Sequence, residues 1–126
     1  MLSFRRITIG FLVLTLVGVF GFSNIAYAQT LDSVSHIHHV KVIEKNVLVL
    51  THEGLFELVG KNEMKLVGKD KFDVMGFTTL DKALIASGHP AQGSNMPNPI
   101  GLVRSIDGGL TWKAVSLVGK VDFHLL

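Results

Sequence analysis

The segment Ser105-Ile106-Asp107-Gly108-Gly109-Leu110-Thr111-Trp112 constrains this chain more than any other. It reads S-x-D-x-G-x-T-W. Two adjacent glycines, Gly108 and Gly109, supply the positive φ that a tight hairpin demands. Asp107 is placed to accept N–H bonds from its own turn, as aspartate does in Asx-turns. Ser105 and Thr111 suit the strands on either side. Trp112 offers a large apolar surface to bury against a following sheet. The segment predicts a β-hairpin with a polar staple inside an all-β protein. It carries no reaction by itself, because folds and sites are separate matters.

Strand-like runs with turn signals between them recur along the rest of the chain. Ile37–Val42 is followed by Val47–Thr51, Leu55–Val59 and Met64–Val67. A second set runs Asp73–Leu80, Ala83–Ser87, Gly101–Ser105 and Trp112–Leu117. Val121–Leu126 reads as the first strand of a third set. Four strands per unit of about 35–50 residues is the size of a propeller blade. The fold class expected is therefore all-β, a partial β-propeller of two four-stranded antiparallel blades plus one strand. Blade 1 covers about 36–68, blade 2 about 72–119, and the start of blade 3 is 121–126. Internal similarity supports the period. Val47-Leu48-Val49-Leu50-Thr51-His52 resembles Ala83-Leu84-Ile85-Ala86-Ser87-Gly88-His89, and Asp122-Phe123-His124 repeats the position of Asp73-Val74-Met75. No long helical period appears after residue 28. Residues 88–100, with Pro90, Pro97 and Pro99, read as one long loop, a common place for function.

Residues 1–28 have a different character. Arg5 and Arg6 precede an almost wholly apolar run, Ile7–Phe22, and Ala26-Tyr27-Ala28 matches an A-x-A cleavage site. This is the pattern of a secretory signal peptide, expected to be cleaved before Gln29 and set aside from fold reasoning. The apolar run is short for an uncleaved anchor.

Of 126 residues, 98 then remain, with ten Lys+Arg against ten Asp+Glu and a formal charge of zero. That balance lacks the clustered basic face of a nucleic-acid binder. The chain has no cysteine, so export is not used to form disulfides, and no lipoprotein anchor can be attached. After cleavage no run is long enough to span a bilayer. Closed propellers use about four to eight blades, so two blades and one strand leave a ring open. The expectation is an N-terminal part of a longer protein. The alternative is a ring completed by several copies, disfavoured because the two units differ in loop length.

The S-x-D-x-G-x-T-W segment is similar to the Asp-box of bacterial-neuraminidase-type repeats, with all five signature positions filled. Further likeness lies in Thr51-His52-Glu53-Gly54-Leu55, Phe77-Thr78, Ser87-Gly88-His89-Pro90, Asn98-Pro99-Ile100-Gly101-Leu102-Val103-Arg104-Ser105 and Asp122-Phe123-His124. Together these residues resemble a family of secreted Bacillus-type proteins labelled glycosyl-hydrolase-like, of the sialidase/sortilin propeller group. The likeness covers nearly all of residues 29–126, but only the front third or so of such a protein. It implies that the box lies on the hairpin between the third and fourth strands of a blade. It does not carry over sialidase catalysis, which uses an arginine triad and a tyrosine nucleophile. Arg104 is the only arginine after residue 28, and the only tyrosine is Tyr27. An ordinary glycosidase needs two facing carboxylates. Glu53, Asp73 and Asp122 are candidates whose sequence spacing establishes nothing. No catalytic residue is assigned, and this chain alone is not expected to be a competent glycosidase.

The histidines carry the more specific chemistry. There are six: His36, His38, His39, His52, His89 and His124. In a propeller, the second-to-third and fourth-to-first connections share one face, opposite the Asp-boxes. His36 and His38 lie on one side of a first strand by period two. His124 sits near the start of another first strand, and His52 and His89 end second strands. Five imidazoles would thus gather on one face, with His39 turned away. Such clusters bind Zn²⁺, Cu²⁺ or Ni²⁺, with carboxylates such as Glu53 and Asp122 completing the shell. The candidate ligand-binding or metal set is His36, His38, His52, Glu53, His89, Asp122 and His124. The blander alternative is histidines that cap strands or bond loop carbonyls.

Three functions stay open at this level. One is an exported module that binds a glycan or an extracellular protein on its histidine-bearing face. Another is part of a glycan hydrolase whose catalytic groups lie in blades not present here. The third is a fragment without activity.

Overall fold

The computed structural model describes residues 29–126. The signal-peptide reading of residues 1–28 lies outside them. The described residues form two antiparallel sheets and no α-helix, and neither sheet closes on itself. None of their helical segments is long and apolar enough to cross a membrane.

The first sheet is built from β1 (Gln29–Thr30), β2 (Ile37–Ile43), β3 (Asn46–Thr51), β4 (Gly54–Leu58) and β5 (Glu63–Leu66). Their order is β1-β5-β4-β3-β2, so β2 to β5 form a simple meander and β1 adds to its far edge. The second sheet, β6 (Phe72–Leu80), β7 (Ala83–Pro90), β8 (Leu102–Ser105) and β9 (Lys113–Ser116), is a four-stranded meander in chain order. β2 to β9 are the eight strands expected from sequence for the two units, shifted at their ends by a few residues, and β1 is an addition that the sequence reading did not include. The two leading hairpins turn at Glu44 and Asp81, both at positive φ, 56° and 54°. Antiparallel hairpins of this tight kind require that conformation.

The sheets bury one face against each other. Leu48, Leu50 and Leu55 of the first sheet meet Phe72, Val74, Phe77, Leu84, Ala86 and Val103 of the second. Val49, Phe56 and Met64 form a second cluster, and Leu31 and Val34 of the N-terminal segment pack against it. Strands β3 and β7 are buried along most of their length, which explains their unbroken apolar runs.

Three expectations are corrected. Val121–Leu126 is not a strand. A first strand needs a partner for its ladder, and no described residue supplies one. The segment is held instead by the Phe123 N–H donating to Ser87 Oγ at 3.0 Å. The loop read at 88–100 is shorter, because β7 continues through Pro90 with Phe72 opposite Pro90 and Asp73 opposite His89. Trp112 does not present a free face to a following sheet. It turns into the core between the two sheets and meets Phe72 edge-on, ring centroids 5.4 Å apart.

Candidate functional site: two histidine–aspartate clusters

The Ser105–Trp112 hairpin joins β8 to β9 and is stapled as its residue types predict. Ser105 Oγ donates to Asp107 Oδ1 at 2.7 Å and accepts the Gly109 N–H at 2.8 Å. Asp107 also accepts the Thr111 N–H at 3.0 Å and the Thr111 hydroxyl at 2.6 Å. These bonds, those from Thr111 first, hold the Asp107 carboxyl at a pKa of about 2. Gly108 and Gly109 both have positive φ, 73° and 94°. Ser105 stands opposite Leu84 near the start of β7, whereas His89 lies near the end of that strand. The hairpin and the histidines therefore occupy opposite ends of β7.

The histidines gather around two aspartates. At the first, Asp73 at the start of β6 faces two imidazoles of the neighbouring sheet. His52 Nδ1 lies 2.6 Å from Asp73 Oδ2, and His38 Nε2 lies 3.1 Å from Asp73 Oδ1. The His52 ring packs edge-on against those of His38 and His36, at centroid distances of 4.6 and 4.8 Å. His38 reaches this point because it is the extra residue of a bulge. Ile37 opposes Thr51 and His39 opposes Leu50, which leaves His38 unpaired in the ladder and re-aims it.

At the second cluster, Asp122 faces His89 of β7 and His124 of its own segment, each Nε2 2.8 Å from Asp122 Oδ2. The other His89 nitrogen, Nδ1, donates to Asn98 Oδ1 at 2.8 Å. Both ring nitrogens of His89 thus face oxygen acceptors, an arrangement that suits the imidazolium. Its pKa is raised, by the Asn98 bond first and by the Asp122 charge against opposing desolvation.

The two clusters repeat one plan. A histidine at the end of a sheet's second meander strand (His52, His89) meets an aspartate from the segment that follows that sheet (Asp73, Asp122). The second sheet also carries a bulge where the first does, with Met75 as the extra residue in place of His38. The carboxylates are equally sheltered, with side-chain exposures of 17% for Asp73 and 14% for Asp122.

Of the seven residues proposed from sequence, the structure places His38 and His52 on Asp73 with His36 packed on His52, and His89, Asp122 and His124 together. The three histidines that end or begin strands do not meet at one point. Glu53 joins neither group. It accepts from Ser35 N–H at 3.3 Å and Ser35 Oγ at 2.8 Å. Burial raises its pKa, but the bonds from Ser35 and Thr51 outweigh that and leave it lowered. His39 stays outside both groups, with Nε2–H donating to the Met75 carbonyl at 3.1 Å. Asp73 was absent from the sequence-derived set although it anchors the first cluster. The signal was present: Asp73-Val74-Met75 aligns with Asp122-Phe123-His124, and Asp122 was in the set.

A cleft of about 770 Å³ opens beside the first cluster. His52, Glu53, Phe56, Lys65, Lys71 and Gln92 line it, so two lysines, one imidazole and one carboxylate share the cleft. Compared with protein-family models, with curated proteins and with solved structures, the chain shows no significant match.

Proposed function

We propose that this chain is part of an exported Asp-box propeller that binds a small acidic ligand, such as a carboxylate-bearing sugar, at its histidine-bearing end. The observation that carries the reading is the position of the cleft. Lys65, Lys71 and His52 lie along its wall, and the His52 ring packs edge-on against those of His38 and His36 behind it. A fold of two packed meanders does not need polar side chains converging there. Cationic groups around a concave site are the ordinary means of fixing an anion.

The propeller part of the reading is supported by the repeat. Two four-stranded meanders pack face to face, each with a bulge at the same place in its first strand and an aspartate clasp to the next repeat. Val115, Leu117 and Val118, in and after β9, are exposed, as they would be where another blade or another copy packs. Export is supported by the sequence pattern of residues 1–28.

The test is calorimetric titration of the full chain with neutral and acidic mono- and oligosaccharides, in EDTA. Binding of an acidic sugar that is lost in Lys65→Ala/Lys71→Ala and kept in Asp107→Ala supports the reading. Absence of binding across the panel, or binding indifferent to both lysines, rejects it.

A further inference from the structure

We propose that His38, His52 and Asp73 form a binding site for one transition-metal ion of the Zn²⁺ class. Each contributes one donor atom, and the three atoms lie within 4.8 Å of one another. They come from three separate places in the chain: the β2 bulge, the end of β3 and the start of β6. Two nitrogens and a carboxylate oxygen are a common ligand set for zinc, with a fourth position left for water or another group.

The decisive detail is what the donor atoms do not do. His38 Nε2 and Asp73 Oδ1 are 3.1 Å apart, yet both are buried and neither has a hydrogen-bond partner. Their closeness is not matched by the alignment a hydrogen bond needs. Buried polar atoms without partners call for an explanation, and a missing ion is one. Bonds of about 2.0–2.1 Å in a tetrahedral centre separate ligand atoms by about 3.3 Å. The His38–Asp73 separation is close to that. His52 Nδ1 sits nearer to Asp73 Oδ2, hydrogen-bonded at 2.6 Å. Metal binding would displace the proton of that bond. His36, edge-on to His52, is the nearest further imidazole.

The second cluster shows why one ion is expected and not two. Both nitrogens of His89 are engaged by oxygens, and Met75 stands where the first repeat has His38. Only an oxygen, Asp122 Oδ1, is left buried without a partner there, whereas the first cluster leaves a nitrogen and an oxygen facing each other. The ion site stands independently of any acidic ligand in the cleft, since the ion alone is the probe.

The experiment is titration of the metal-stripped full chain with ZnCl₂ near neutral pH, read by calorimetry and by melting temperature, with Co²⁺ absorption reporting the ligand geometry. The expected result is one equivalent bound, a rise in melting temperature and a tetrahedral Co²⁺ spectrum. His38→Ala and Asp73→Asn should each weaken Zn²⁺ by more than about tenfold, the low end of what loss of even an outer-shell partner costs. His124→Ala should leave it unchanged. His38→Gln serves as a second variant should Asp73→Asn fail to fold. No saturable binding by the unmodified chain overturns the proposal. So does a site abolished by His124→Ala, or one indifferent to both His38 variants. Acidic-sugar binding in EDTA without Zn²⁺ binding leaves the proposed function standing and overturns the ion site, so the two readings fail separately.

Discussion

Asp122 reaches back to His89 across the edge of the second sheet, placing Oδ2 2.8 Å from Nε2. The contact ties a segment that has no strand of its own to the end of β7. It repeats the tie that Asp73 makes to His52 one sheet earlier, at 2.6 Å.

The first prediction concerns pH. The folded-state pKa of His89 is raised above its ordinary 6.5, by Asn98 and then by Asp122. Folding therefore favours the protonated form. The stability this gives is fully present below pH ~6.5 and is lost as pH rises through the raised value. Asp122, Asp73 and His124 are the other titratable groups that bear on the ring. Melting temperature measured from pH 5 to 9 should fall across that window, and His89→Ala should flatten the fall. An NMR titration of the His89 ring that gives an ordinary or lower midpoint would count against the clasp.

The second concerns Gly76. A Cβ at this position would lie 2.1 Å from the Phe123 carbonyl oxygen. Backbone must then move, and the unpaired segment 121–126 is the part with least to hold it. Gly76→Ala should release the Phe123 N–H from Ser87 and carry Asp122 away from His89. Faster hydrogen exchange at Phe123 and a His89 midpoint shifted down toward the ordinary value should appear together.

The third concerns the core. Phe72 is fully buried between the sheets, edge-on to Trp112. Phe72→Ala should cost about 3–5 kcal/mol, the usual range for an emptied aromatic site. Trp112 is the only tryptophan, so its emission should move to longer wavelength in the folded variant as water reaches the ring. Urea denaturation followed at that emission measures both effects. Phe72→Leu should cost less, because it leaves a smaller void.

The fourth separates the Ser105–Trp112 hairpin from the histidine end. Asp107 is solvent-exposed, but Thr111 and Ser105 hold its pKa at about 2, below the ordinary 3.8. Its contribution is present above pH ~3.8 and is lost as pH falls through about 2. Asp107→Ala should lower the melting temperature at neutral pH, with the difference from the unmodified chain shrinking in that acid window. Zn²⁺ binding should be unchanged, since the hairpin and the histidines lie at opposite ends of β7. Loss of Zn²⁺ binding in a folded Asp107→Ala would place the ion elsewhere.

What could be read from the residues in order was local. Alternating and unbroken apolar runs marked the eight strands of the two meanders. The spacing of Ser105, Asp107, Gly109 and Thr111 marked a stapled hairpin, because each of its bonds joins residues no more than four apart. The gathering of histidines at one end followed from where second strands finish. Their partition did not. Whether His52 meets His89 or Asp73 depends on how one sheet lies on the next, and on a bulge that turns His38 toward its neighbour. The fate of residues 121–126 was equally hidden, since their composition is strand-like yet they are held by Ser87 and His89 and not by a ladder. Sequence determined the hairpins and their polar staples because short-range hydrogen bonds specify them. Tertiary structure alone decided which imidazole faces which carboxylate, because the packing of Leu50 and Leu55 against Phe72 and Leu84 between two sheets brings together groups distant from each other in the chain.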